Sequence, residues 1–229
     1  AVGQLAGGVA HEINNPLGGI LALAQLMSRE ERSDADLQNL ALIEDAARRA
    51  KHIVESLLRF SRRPRDEEKG PVALERVVDD ALVLLAGQLK GGEIEVARDF
   101  GASAVALGNA NQLQQIVVNL VVNAMHAIGG AGRITVSTRT PRPGRLELRV
   151  ADTGPGIPPE IAERVFEPFF TTKPEGQGTG LGLSICYRIA EEHGGSIRLD
   201  PSATAGACFV VELPAAPAAP ANASERSAT

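Results

Sequence analysis

Two long apolar stripes at helical spacing, separated by only a few polar residues, constrain this chain more than any other feature. With turns of roughly 100° per residue, Leu5, Val9, Ile13, Ile20, Leu23 and Met27 cluster on one side of a helix predicted over residues 2–29. Glu30, Glu31, Arg32, Ser33 and Asp34 make a polar turn in which Ser33 or Asp34 can cap the next helix. Leu37, Leu40, Ile43, Ala47, Ala50, Val54, Leu57 and Leu58 then share one face up to Phe60 and Ser61. Two helices joined this way form an antiparallel hairpin. A lone hairpin buries too little, so pairing with a second copy into a homodimeric four-helix bundle is expected.

Composition changes abruptly at Arg62 to Pro71, where charge, Pro and Gly dominate, and a hinged linker is predicted over 64–71. Beyond it the pattern alternates. Helices are predicted at 74–89, 109–128 and 181–193, and strands at 93–100, 133–140, 145–151, 196–199 and 208–213, with Pro141-Arg142-Pro143-Gly144 as a hairpin turn. Helices among antiparallel strands imply a two-layer α/β sandwich, so the fold class is α + α/β. The boundaries follow: a helical hairpin at 1–63, a linker at 64–71, the sandwich at 72–214, and a Pro/Ala/Ser-rich disordered tail at 215–229.

Several function classes are excluded on composition. Aromatics are 3% of the chain and the net charge is −5 with no dominant Lys/Arg block, which argues against nucleic acid as a partner. Cys186 and Cys208 lack metal-like spacing, and a reducing compartment is expected. No run reaches the roughly 18 apolar residues of a membrane span and no signal peptide is visible, so no membrane contact by these residues is expected. The chain starts at Ala1 already inside a helical pattern, which reads as a fragment of a longer protein.

Five stretches carry candidate chemistry. His11 projects about 160° from the mean of the first apolar stripe, out of the packed seam, with Glu12 beside it as partner for one ring nitrogen. Pro16 has no N–H for the Glu12 carbonyl and predicts a kink. A zinc reading fails because Asn15 stands where the second His is required. Taken alone, His11 and Glu12 also fit a solvated helix face, as His52 does. Gln115, Asn119 and Asn123 recur every four residues on an otherwise apolar helix. They form either an internal hydrogen-bond ladder or a site where Asn123 offers its carbonyl oxygen to Mg²⁺. His126, one turn on, is a phosphate contact or a cap.

Asp152-Thr153-Gly154-Pro155-Gly156 fixes a carboxylate at a strand end beside exposed backbone, fit to accept from an adenine amino group, although a plain turn has the same composition. Gly176-Gln177-Gly178-Thr179-Gly180-Leu181-Gly182 opens a helix where main-chain N–H groups favour phosphate. It is neither a Walker A loop nor a dinucleotide fingerprint. Between them, Phe166-Glu167-Pro168-Phe169-Phe170-Thr171-Thr172-Lys173 lies in a long irregular stretch that reads as a lid, with the Phe residues as anchors and Lys173 as a phosphate contact.

His-Glu-x-x-x-Pro-Leu at residues 11–17 resembles the H-box of sensor histidine kinases, and the other four stretches resemble, in order and spacing, the N, G1, F and G2 boxes of that family's ATP-binding domain. The resemblance covers residues 3–214. It implies a cytoplasmic protein-histidine kinase, part of a longer sensor that can be membrane-anchored, with ATP and Mg²⁺ as cofactors. Phosphorylation at His11 is implied, with Glu12 as acid/base partner, Asn123 on Mg²⁺, Asn119 supporting it and Asp152 on adenine. Gly154, Gly156, Gly178, Gly180, Leu181 and Gly182 would form the nucleotide loops, and Lys173 sits where family members approach the phosphates. A response-regulator receiver domain would take the phosphoryl group on an aspartate, docking on the exposed face around His11. The Glu12-x-x-Asn15 spacing is similar to the motif with which some members dephosphorylate that partner. Two positions depart from the pattern: Gly206-Ala207 where Gly-Thr is common, and Asn111 where an acidic residue is common. The alternatives are a clamp ATPase of the gyrase, Hsp90 and MutL group, which gives no reason for the H-box or the Phe stretch, and a non-catalytic nucleotide-binding dimeric scaffold.

Overall fold

The computed structural model describes residues 13, 17–28, 33–61, 69–91, 93–101, 104–174, 179–203 and 205–217. His11, Glu12, Asn15, Gly178, most of the linker and the tail beyond 217 lie outside them. The chain divides into two compact units, the first comprising residues 1–66 and 165–184, the second 67–164 and 185–229.

In the first unit, α1 covers residues 17–27 and α2 covers Asp34–Ser61. Ser33 caps α2, its Oγ accepting the Asp36 N–H at 3.2 Å. Ala24, Leu40, Ala47 and Val54 are buried along the seam, where Gln25 Nε2 donates to Glu44 Oε1 at 3.0 Å. The α2 stripe supplies the buried Leu40, Ala47 and Val54, but on α1 the buried residue is Ala24, outside the predicted stripe, whose Ile20, Leu23 and Met27 stay exposed within one chain. Ile43 of the α2 stripe and, beside the stripes, Leu26 and Leu42 are exposed as well. A hairpin whose apolar surface is only partly used retains a face for a partner.

The second unit is a mixed sheet with helices on one side. β1 (Gly70–Ala73) leads into α3 (Leu74–Gly91); β2 (Ile94–Phe100) and β3 (Val105–Gly108) precede α4 (Ala110–Ile128); β4 (Gly132–Arg142) and β5 (Arg145–Asp152) form a hairpin. α5 (Gly182–Glu192), β6 (Ser196–Leu199) and β7 (Cys208–Pro214) close the chain. The five-stranded order is β2-β4-β5-β7-β6, with β1 and β3 paired separately.

Alternation along β4, β5 and β7 puts Ile134, Val136, Leu148, Val150, Phe209, Val211 and Leu213 on one face, all buried. Against it α4 lays Leu113, Ile116, Val117, Leu120, Val121 and Ala124. Each such side chain contributes about 1.5–3 kcal/mol on burial. The opposite face is ionic: Arg133 meets Glu95 at 2.9 Å, Arg139 meets Asp99 at 2.5 Å, and Arg198 meets Glu147 at 3.0 Å.

Three details depart from the sequence reading. β2 pairs parallel to β4, so the sheet is mixed and not purely antiparallel, because α4 carries the chain back across the sheet between them. β1 and β3 are strands that the sequence does not predict: Gly70 and Pro71, in the predicted linker, pair with Gly108 and Leu107. Pairing also runs past Pro214, since Ala215 bridges Ala106 and the Ala216 N–H donates to the Val105 carbonyl at 2.8 Å.

Candidate nucleotide site

The site in the second unit is built where β5 ends. Asp152, 6% exposed, is the last residue of β5. Its Oδ1 accepts the Gly154 N–H at 2.8 Å and the Ala207 N–H at 3.2 Å, while its own N–H donates to the Ala207 carbonyl at 2.9 Å. Both main-chain donors converge on one carboxylate oxygen, and among the described residues Oδ2 accepts no hydrogen bond. The next residue is pinned from the other side: the Thr153 N–H donates to the Arg133 carbonyl at 3.1 Å, and Thr153 Oγ1 accepts the Arg133 N–H at 3.0 Å.

Glycine is required where these strands meet. At Gly206 the backbone has φ 62°, and a Cβ would stand 1.9 Å from the Asp152 carbonyl oxygen. A Cβ on Gly154 would come within 2.9 Å of Asp152 Oδ1 and 3.1 Å of the Ala127 carbonyl carbon. The loop therefore lies against α4 one turn beyond Asn123. Gly156 also has positive φ and backs onto the Gly206 carbonyl, 2.9 Å from where a Cβ would be. At Ala207, where the family commonly carries Thr, both contacts to Asp152 are made by the main chain, whose N–H any residue other than proline supplies.

α4 carries the two amides. Its frame is fixed by Asn109, whose Oδ1 accepts the Gln112 N–H at 3.0 Å, and by Gly129, a left-handed C-cap donating to the Met125 carbonyl. Asn119 and Asn123 are both half-buried. The Asn119 side chain hydrogen-bonds the Cys186 thiol, whose pKa burial pushes up to about 12. Cys186 Sγ also donates to the Ile116 carbonyl at 3.9 Å, which ties α5 to α4. His126 lies exposed in the last turn of α4, where a cation suits the helix dipole. Asn111 is exposed at the helix start.

The donor set fits a nucleotide with a hard cation. No cluster of three or more His, Cys, Asp or Glu side chains that could hold a metal exists among the described residues. A carboxamide oxygen from Asn123 is the kind of single protein ligand Mg²⁺ accepts alongside phosphate oxygens and water.

The remaining expected residues belong to the first unit. Phe166 and Phe170 are half-buried, while Phe169 is 60% exposed and held at φ 68°, unusual for an aromatic residue. Its N–H donates to the Gly180 carbonyl at 2.9 Å, and a Cβ on Gly180 would collide with the Phe169 main chain at 2.3 Å. The Phe stretch and the glycine run are thus one local structure. Leu181 is fully buried and Gly182 starts α5. Lys173 is half-buried, and that burial lowers its pKa from the ordinary lysine range. Sequence reasoning did not single out Thr153, the Ala207 N–H or His193. The glycine before β7 was the one available signal for the second of these.

Comparison with known proteins gives the family. Residues 1–65 match the His Kinase A (phospho-acceptor) domain, and residues 108–217 match the histidine kinase-, DNA gyrase B-, and HSP90-like ATPase family. The chain is 39% identical to sensor kinase CckA of Brucella abortus over 93% of its own length and 24% of that protein. It is 38% identical to the sensory histidine kinase/phosphatase NtrB of Rhodobacter capsulatus over 91% of its length and 61% of that protein. It therefore spans only part of these curated relatives. Among solved structures, full-length ShkA in complex with AMPPNP aligns with TM-score 0.78 at 27% identity, covering 96% of this chain and 47% of that one. Histidine kinase ThkA in complex with response regulator TrrA aligns with TM-score 0.66 at 27% identity, covering 94% and 62%. The mycobacterial sensor histidine kinase MprB aligns at 32% identity with TM-score 0.59, covering 66% of this chain and all of that one. With a phospho-acceptor region ahead of an ATPase region and such neighbours, the chain belongs to the sensor histidine kinases of two-component systems.

Proposed function

We propose that this chain is the catalytic portion of a protein-histidine kinase, which phosphorylates His11 from ATP and passes the group to an aspartate of a response-regulator receiver domain. The observation that carries the reading is the Asp152 carboxylate: one oxygen is spent on two main-chain N–H groups and the other is left as an acceptor, downstream of a hairpin bearing His-Glu-x-x-x-Pro-Leu. Asp152 Oδ2 accepts from the adenine amino group, and Gly154 and Gly156 let the main chain approach the base. Asn123 supplies one oxygen to Mg²⁺, with Asn119 held beside it by Cys186. Held there, Mg²⁺ would supply positive charge to offset the phosphate oxygens. Lys173, Gly178, Gly180, Leu181 and Gly182 serve the phosphates.

A neutral His11 ring nitrogen attacks the γ-phosphorus in line, the P–N bond forms as the bond to the ADP oxygen breaks, and Glu12 takes the proton from the other ring nitrogen. In the second step the receiver carboxylate attacks the same phosphorus and the P–N bond breaks. The exposed apolar residues of α1 and α2 face a second copy of the chain in a four-helix bundle. We place the hairpin at 1–63, the linker ahead of Gly70, and the ATP-binding domain from Gly70, where β1 begins, through Ala216, in the cytoplasm. A second activity, dephosphorylation of the receiver with Asn15 positioning a water, is favoured by the Glu12-x-x-Asn15 spacing and by a relative named as a kinase/phosphatase.

The test is incubation with γ-labelled ATP and Mg²⁺. Label that acid releases and base preserves is expected, as a phosphoimidazole requires. ATP turned over with no label on the protein would instead favour a clamp ATPase.

A further inference from the structure

His193 lies outside the five stretches that carry candidate chemistry, yet it is 3% exposed and has both ring nitrogens engaged. Nδ1 lies 2.8 Å from the Ile189 carbonyl and Nε2 lies 3.0 Å from the Asn109 main-chain nitrogen. A carbonyl only accepts and an amide N–H only donates, so the proton assignment is forced: Nδ1 carries the hydrogen and Nε2 is the acceptor. The ring must be neutral here. Protonation would set an Nε2–H donor against the Asn109 N–H donor.

Its surroundings fix the ring from several elements. The His193 N–H donates to the Ile189 and Ala190 carbonyls at the end of α5. Gly108, at the end of β3, lies so close that a Cβ there would stand 2.6 Å from His193 Cδ2. Lys69, just before β1, donates its ammonium to the Glu192 carbonyl, and the charges of Lys69 and Glu192 face the imidazole with opposite effects on its protonation. Burial, the largest influence, lowers the His193 pKa from its ordinary value. Asn109 is the residue that caps α4, so the imidazole joins the end of α5 to the start of the helix that bears Asn119 and Asn123.

We propose that His193 is a positioning residue for nucleotide binding: by accepting the Asn109 main-chain N–H it fixes the start of α4 and, through that helix, the placement of Asn123 against the Asp152 loop. The inference rests on the reading of Asp152 and Asn123 as nucleotide ligands. A glutamine can present its Oε1 where Nε2 stands, without titrating; a leucine fills the space without an acceptor and leaves the Asn109 N–H facing an apolar group.

The test is the affinity of the whole chain for AMPPNP with Mg²⁺, measured by calorimetry at about pH 7.5 and in steps down to the lowest pH at which the chain stays folded, because burial holds the folded value below the ordinary imidazole one. His193→Leu is expected to bind roughly tenfold more weakly than the wild type at about pH 7.5, as for a stranded buried donor. The wild type is expected to weaken as pH falls, and His193→Gln to hold near-wild-type affinity without that acid loss. A histidine that served stability alone would lower the melting temperature on substitution but would not give the wild type a pH-dependent affinity that His193→Gln lacks. Wild-type affinity in His193→Leu, or the same pH dependence in wild type and His193→Gln, overturns the proposal. If His193→Leu does not fold, the wild-type and His193→Gln comparison decides. Asp152→Asn separates the two layers: if it binds AMPPNP as the wild type does, the nucleotide reading falls, whereas loss of binding there with full binding in His193→Leu removes only the positioning role.

Discussion

The loop after β5 and the Phe166–Lys173 stretch are both irregular, both rich in turn residues and both assigned to the nucleotide site, yet they are held in opposite ways. Asp152 and Thr153 are tied to Arg133 on one side and Ala207 on the other by main-chain hydrogen bonds, around a carboxylate that is almost fully buried. Phe169 is exposed, sits at φ 68°, and donates its main-chain N–H to the Gly180 carbonyl. The first is tied down on both sides of its carboxylate. The second presents an aromatic ring to solvent at a cost of about 1–2 kcal/mol in backbone conformation. The difference suits the roles proposed above: fixed acceptors for the base in the first loop, and a cover over the phosphates, which has to move, in the second.

Gly206→Ala attacks the first loop hardest. A Cβ 1.9 Å from the Asp152 carbonyl oxygen, at a left-handed φ, is expected to cost about 2–4 kcal/mol in thermal unfolding and to abolish AMPPNP binding. Asp152→Asn keeps the shape but replaces an acceptor with a donor, so affinity for AMPPNP falls roughly 10- to 100-fold with little change in melting temperature. Gly180→Ala places its Cβ against the Phe169 backbone, but in the less constrained region; a loss of roughly 1–2 kcal/mol is expected, smaller than for Gly206→Ala. Equal losses in the two alanine variants would erase the contrast. Phe169→Gly relieves the left-handed strain while adding chain entropy, so stability changes by less than about 1 kcal/mol. Its rate of phosphorylation should fall more than its AMPPNP affinity. The smallest effect is chemical: Cys186, its pKa pushed to about 12, should not react with a thiol reagent at neutral pH until the protein unfolds.

The Asp152 socket also has a pH limit. A histidine buried neutral binds fewer protons folded than unfolded, so the stability His193 confers is complete above its ordinary value of about 6.5 and is lost as pH falls through the lowered folded value. A denaturation midpoint that falls with pH over this window in the wild type, and less in His193→Gln, is the expected result.

How much of this was legible in the sequence follows from what each element depends on. α4 and α5 were readable because apolar periodicity, the Asn109 cap and the Gly129 stop are local signals. β1 and β3 escaped because four residues such as Gly70–Ala73 hold no clear alternation, and their pairing depends on one another across the intervening α3 and β2. The direction of β2 escaped because parallel pairing is decided by the crossover through α4, not by the strand's own residues. Asp152 announced itself as a carboxylate before two glycines, but its partner 55 residues downstream is a main-chain N–H, which leaves no side-chain mark. His193 is hidden for the same reason.

The central claim is that the Asp152 socket serves transfer to His11. Wild type, His11→Gln and Asp152→Asn should be assayed in parallel for label from γ-labelled ATP and for AMPPNP binding. The account predicts that His11→Gln carries no label yet binds AMPPNP as the wild type does, and that Asp152→Asn binds AMPPNP roughly 10- to 100-fold more weakly and loses label at limiting ATP. Label persisting in His11→Gln, or undiminished binding in Asp152→Asn, would contradict it.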